Sequence, residues 1–185
     1  MGLDMYLYKK HYIGNKWREP EEQVKVTVPS KQEKATFRTG PIKSERITEI
    51  SEEVAYWRKA NAIHQWFVEN VQNGVDECKP HYVSREQLAE LRDLCLRVLA
   101  AVEVETRVEV YDQYTPDGMQ AQERTVRVIL NPDDVADTLP TTEGFFFGST
   151  DYDEWYLLDL ENTVKQIDRV LTMPEEWDLE YQSSW

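Results

Sequence analysis

Apolar positions along this chain recur in two rhythms, one of period two and one close to period 3.6, and each predicts its own kind of element. Leu3-Asp4-Met5-Tyr6-Leu7-Tyr8 alternates large apolar residues with smaller or polar ones and is rich in β-formers, which predicts a strand. Val24, Val26 and Val28 alternate with Lys25 and Thr27, predicting a second, half-exposed strand that Pro29 ends. The polar stretch 30–43, with Gly40-Pro41, reads as a loop. From Ser51 to about Val71 the rhythm changes: Ile50, Val54, Tyr56, Trp57, Ala60, Phe67, Val68 and Val71 fall on one face of a long helix, and Gly74 follows as its stop. Ser84 and Gln87 have capping-box spacing and open a helix to Ala101, with Leu88, Leu91, Cys95, Val98, Leu99 and Val102 as its stripe. Period two returns at Val104, Thr106, Val108 and Val110. Pro116-Asp117-Gly118 turns the chain and Thr125–Leu130 comes back, a hairpin. Glu143–Phe147 reads as a strand. Glu154–Leu171 reads as the last helix, with Tyr156, Leu160, Thr163, Val164, Ile167 and Leu171 inward and Pro174 beyond its end.

Strands and helices mix without a regular βαβ alternation, so the expected class is α+β: one compact domain over residues 1–173, three main helices packed with a small, mostly antiparallel sheet. The hairpin at 104–130 is an insertion in that plan. The acidic, aromatic tail 174–185 is either a packed arm or a mobile end.

Composition narrows the class further. With 185 residues, 41% hydrophobic and 11% aromatic, the chain has the means to bury one core and does not resemble a disordered protein. No apolar run approaches the roughly 20 residues of a membrane span, and no basic region precedes an apolar core at the start, so neither a membrane nor a secretory signal is expected. Cys78 and Cys95 offer no disulfide framework, which points to a reducing cytoplasm. The net charge of −14 is uneven: residues 131–185 carry 14 acids against only Lys165 and Arg169. Such a field repels nucleic acid, so direct nucleic-acid binding is not expected; it is either a solvated face or a surface that imitates DNA.

Candidate chemistry is sparse. No nucleophile elbow, phosphate-binding P-loop, dinucleotide fingerprint or zinc-protease motif is present, and His11, His64 and His81 lack ligand spacing; no catalytic residue, metal or cofactor is expected. Two polar residues break the apolar face of the long predicted helix. His64 falls near its centre and Asn61 at its edge, beside Arg58 and Lys59. Both must find partners if buried. They are either core groups, the histidine bonded to a carbonyl or a tyrosine, or the floor of a pocket with Arg58 and Lys59 at its rim. Trp66 falls on the opposite, polar face, as a protein contact would. In GFFFGSTDYDEWY, Gly148-Ser149-Thr150 has the look of a phosphate cradle, but Asp151, Asp153 and Glu154 would repel an anion there; Thr150 and Asp153 read instead as a capping pair. Phe147 and Phe145 point to one side of the expected strand, Phe146 to the other.

The blocks MGLDMYLYKK, YWRKANAIHQWFVENVQNGVDEC, YVSREQLAELRDLC and LPTTEGFFFGSTDYDEWY resemble those of a family of small proteins found mostly in bacteriophages and prophages. They cover about half of the chain. The resemblance implies a setting, action in the host cytoplasm against host defences or host enzymes, and no particular chemistry. In that setting the expected function is non-enzymatic binding of a small, nucleotide-like ligand, sequestering a host immune signal. Trp57, Tyr6, Phe147 and Tyr156 would supply aromatic faces, Asn61 and His64 the base-edge contacts, and Arg58 and Lys59 the cations. A homo-oligomer is expected. The alternatives are an acidic module that blocks a host defence protein by resembling DNA, and a hydrolase of a phosphorylated small molecule.

Overall fold

The computed structural model describes residues 2–25, 44–116, 118–144 and 147–185. They form an α+β domain with a four-stranded antiparallel sheet, a separate two-stranded ribbon, and, among the described residues, four α-helices. The strands are β1 (Asp4–Tyr12), β2 (Glu49–Arg58), β3 (His81–Tyr82), β4 (Val104–Thr115), β5 (Gly118–Ile129) and β6 (Asp178–Ser184). The helices are α1 (Asn61–Asn70), α2 (Arg85–Ala101), α3 (Pro132–Thr138) and α4 (Glu154–Leu171). The sheet runs β2-β1-β6-β3, and β4 and β5 make the ribbon.

The alternation in β1 does what its pattern predicts. Leu3, Met5 and Leu7 are buried against the helices, while Tyr6 and Tyr8 turn to the other face, where their rings stack at 5.9 Å and Tyr56 joins them. The capping box of α2 is present in both directions, Gln87 N–H to Ser84 Oγ and Ser84 N–H to Gln87 Oε1. Leu88, Leu91, Cys95 and Val98 of α2 pack against α4, which contributes Leu157, Leu160, Ile167 and Val170. Cys95 is a core side chain, its thiol pushed up to about 12 by burial. At the far end of α4, Arg85 donates to the carbonyls of Val170 and Leu171 in the last turn and of Pro174 just beyond it.

Several expectations fail, each for a tertiary reason. The helix expected from Ser51 to Val71 is a strand and a shorter helix. Residues 49–58 pair with β1 from Asp4↔Arg58 to Tyr12↔Glu49, with Lys9–Glu52 and Lys10–Glu49 ion pairs across the strands. The β-formers Ile50, Tyr56 and Trp57 outweigh the glutamates once a partner strand is available. The helix that remains is buried on more than one side, so Trp66 is in the core rather than on a polar face. Residues 174–185, left open as a packed arm or a mobile end, take the packed form: β6 lies between β1 and β3, and Leu179 and Tyr181 are core residues. Of the expected strand at 24–28, Val24 and Lys25 are irregular and the rest lies outside the described residues, as do 30–43 and Phe145 and Phe146. Glu143, Gly144 and Phe147 are not in a strand. The cap of α4 is Asp153 alone, its carboxylate accepting the N–H groups of Trp155 and Tyr156.

Candidate functional site

A cavity of about 380 Å³ opens where β2 passes into α1, walled by the 141–151 loop and the first turns of α4. Its first wall comes from a tight connection. Lys59 takes a left-handed backbone (φ 59°) and donates its N–H to the Leu3 carbonyl, while its own carbonyl receives the Asn61 N–H. This swings the chain from strand to helix within two residues and leaves Ala60, which has no capping side chain, ahead of α1. The N–H groups of Ala62 and Ile63 consequently have no acceptor among the described residues, and both residues line the cavity. No acid sits in the first turn of α1 to offset its positive end. Arg58 and Lys59 stand beside it. Among the described residues Lys59 has no ion pair, and Arg58 only approaches Asp4, at 4.0 Å.

The part of the lining that comes from the end of the 141–151 loop and from α4 is acidic and aromatic. Asp151, Asp153 and Asp159 line the cavity there with Trp155, a residue 66% exposed. Asp153 is occupied as the helix cap, and Asp151 accepts the Ser149 hydroxyl. Asp159 is different: its carboxyl group has no hydrogen-bond partner among the described residues. Burial, with a smaller push from the Asp153 charge, raises its pKa to about 7. A carboxyl poised between protonated and ionised forms at neutral pH, unpaired in a cavity, is a group with capacity to accept a ligand's donor or to move a proton.

The 141–151 loop is held in place from α1. The buried Asn61 amide donates from Nδ2 to the carbonyls of Phe147 and Ser149 and accepts the Thr142 N–H at Oδ1. Gly148 (φ 90°) lets the loop lie on Lys59; a Cβ there would meet Lys59 Cβ at 3.2 Å.

The eight residues singled out in the sequence separate accordingly. Arg58, Lys59, Asn61 and Tyr156 line the cavity, although the Asn61 side chain is spent on the loop and the Tyr156 hydroxyl donates to the Leu139 carbonyl. Trp57 lies in the core, its indole N–H on Thr163 Oγ1 at 2.9 Å. His64 is fully buried and does not line the cavity. Its Nδ1 lies 2.7 Å from the Tyr181 hydroxyl and its Nε2 3.2 Å from Asp76 Oδ1, which also receives the Trp185 indole N–H. A neutral ring protonated at Nε2 satisfies both neighbours, and burial lowers its pKa in keeping with that form. It is the tyrosine-bonded core histidine. Phe147 packs edge-on against it at 5.0 Å. Tyr6 lies on the far face of the sheet. Sequence reasoning missed Asp159, Ala62, Ile63 and Trp155. The signal for Asp159 was available: it stands three residues after Tyr156 and four before Thr163, an acid on the inward side of α4.

Several acids of the 131–185 segment are paired within the chain: Glu154 and Glu161 with Arg127, Asp168 with Arg92, Glu180 with Lys10. Among the described residues no group of three or more His, Cys, Asp or Glu side chains is arranged to hold a metal, and no helix is long and apolar enough to cross a membrane. No protein-family model matches the chain, and no curated protein or solved structure matches it at significance.

Proposed function

We propose that the cavity between α1, the 141–151 loop and α4 binds a small, nucleotide-like molecule with an anionic group at one end and a hydrogen-bond donor at the other. One juxtaposition carries this reading: the uncapped start of α1 with Arg58 and Lys59 lines the same cavity as Asp159, which is unpaired among the described residues. An anionic group would lie against the free N–H groups of Ala62 and Ile63 and the two cations. A donor, such as an exocyclic amine, would lie at Asp159, with a flat ring against Trp155. The volume is at the small end of the range for ligand pockets, which favours a mononucleotide-sized molecule over a larger one. The phage-family resemblance supplies the biological reading: a phage protein that withholds a nucleotide-derived immune signal in the host cytoplasm.

Titration calorimetry against nucleoside monophosphates, cyclic mono- and dinucleotides and ADP-ribose derivatives tests the proposal. Saturable binding that Arg58→Ala and Lys59→Ala each weaken about tenfold or more is expected. A folded protein that binds none of the panel refutes it.

Hydrolysis of a phosphorylated ligand is a second reading, favoured by Asp159, which has no partner among the described residues and lines the cavity as a general base would. Mass analysis of the ligand after incubation separates the two: sequestration returns it intact when the protein is denatured.

A further inference from the structure

The ribbon carries an edge that nothing else among the described residues protects. β4 and β5 pair without a bulge from Val104↔Ile129 to Thr115↔Gly118, two strands of 12 residues each. β5 packs against α4 near its end, but β4 makes no comparable packing with any described element other than β5. Two-stranded ribbons on their own are marginally stable in water, and long exposed edges are templates for another strand. Natural sheets blunt such edges with lysine, proline, bulges or a covering side chain. β2 shows the last device: Gln166 of α4 bonds both the N–H and the carbonyl of Tyr56, and Arg169 bonds the Val54 carbonyl. β4, reading VETRVEVYDQYT, has no lysine, no proline and no bulge.

The direction of its free backbone groups follows from the ladder. Leu130 N–H bonds the Glu103 carbonyl, so Glu103 and Leu130 are a hydrogen-bonded pair, and such pairs alternate along an antiparallel ladder. With the register unbroken, odd-numbered residues of β4 turn their N–H and C=O groups to β5. Even-numbered residues, among them Thr106, Val108, Val110 and Asp112, turn theirs outward. The same even residues place Val108 and Val110, each 65% exposed, on one face of the ribbon.

We infer that β4 is the contact for a second copy of this chain, pairing antiparallel with itself about a two-fold axis at Val108. In that register Val108 faces Val108 and Thr106 faces Val110 as hydrogen-bonded pairs, which matches the outward parity. Between them Arg107 of each copy stands opposite Glu109 of the other. Neighbouring registers do less: an axis at Thr106 also sets Arg107 against an acid, Glu105, but pairs only residues 104–108 of β4, whereas the axis at Val108 pairs residues 104–112. An axis at Glu109 sets that acid against itself, an axis at Arg107 sets two arginines together, and an axis at Val110 puts Val108 against Asp112. The result is a four-stranded sheet, β5-β4-β4-β5, in which both β4 edges are paired and the two-stranded ribbon gains the strands it lacks. The inference does not depend on the cavity having a ligand.

Sedimentation velocity across a concentration series of the full chain tests it, with far-UV circular dichroism as a check on folding. A monomer–dimer equilibrium is expected. Val108→Pro removes an N–H that β5 does not use, so the ribbon persists while the dimer Kd weakens about thirtyfold, from two lost backbone bonds. Arg107→Glu and Glu109→Arg, each alone, weaken dimerisation about tenfold through two like-charge contacts. Mixed in equal amounts, these two variants form a heterodimer of near-native affinity, because each then meets its opposite. A chain that stays monomeric throughout overturns the inference, whether or not some other protein binds the edge. So does a dimer in which the single charge variants and their mixture behave alike, which would hold even if Val108→Pro failed to fold.

Discussion

Asp159→Asn should make the protein more stable, and the gain should depend on pH in a defined window. The wild-type carboxyl keeps its proton up to about pH 7 because burial, aided by the Asp153 charge, penalises its ionised form; an ordinary aspartate ionises near 3.8. A pKa raised on folding means that the group's contribution is fully present below the unfolded value and lost as pH rises through the folded value. Between about pH 4 and pH 7 the unfolded chain has released this proton and the folded one has not, so wild-type stability declines by up to about 1.4 kcal/mol per pH unit from this group alone. The ceiling across the window is about 4 kcal/mol. Since the carboxyl opens on a cavity rather than on packed core, about 2–3 kcal/mol is the expected sum. Asparagine cannot ionise and avoids the loss. Urea unfolding of both proteins from about pH 4 to pH 8, read as the difference in midpoint at constant slope, cancels every other titrating group. The difference should be smallest at the acid end, grow through the window and level off above about pH 7. A flat difference, or a wild type that is the more stable at pH 8, refutes the account of Asp159 as a desolvated, unpartnered carboxyl. The same substitution should weaken binding of any ligand that donates to Asp159, a trade of stability against function expected at a working site.

Asn61→Ala removes three hydrogen bonds to loop backbone and should cost about 2–3 kcal/mol in urea unfolding, with faster hydrogen exchange at Thr142 as its local mark. Gly148→Ala should cost about 1–2 kcal/mol, since alanine meets both a φ of 90° and the Lys59 Cβ, and calorimetry should show weaker ligand binding as the loop lifts. His64 has its pKa lowered by burial, so the unfolded chain takes up its proton first as pH falls. That component of acid destabilisation begins near pH 6.5, and midpoints for His64→Gln measured from about pH 7 to pH 5 should lack it.

Local signals carried some elements completely. The Ser84/Gln87 box, the alternation of 104–110 with Pro116-Asp117-Gly118, and the stripe from Tyr156 to Leu171 each specify an element through neighbours a few residues apart, and α2, the ribbon and α4 stand where those signals put them. The hydrophobic pattern also marked the residues that needed partners: Asn61 and His64 were conspicuous as polar groups in an apolar stripe. What it did not contain was the partner. His64 is answered by Tyr181 and Asp76, and Asn61 by the carbonyls of Phe147 and Ser149, contacts that span from 12 to 117 residues of sequence.

The same division explains the larger errors. Residues 51–58 satisfy a helical wheel and a strand alternation about equally well, and the choice falls to the hydrogen-bond ladder that β1 offers across some forty residues. For the tail, a packed arm and a mobile end were both open, and alternation of Leu179, Tyr181 and Ser183 lets it enter the sheet between β1 and β3 once those strands exist. The cavity is a product of this tertiary choice. Only because β2 is a strand does the chain turn sharply at Lys59, leave α1 uncapped and bring Arg58 and Lys59 into one cavity with Asp159. The sequence by itself determined which side chains seek burial and which local turns and caps are available; tertiary structure decided which distant backbone would meet them, because strand pairing and buried polar contacts draw their energy from partners that no short window of sequence contains.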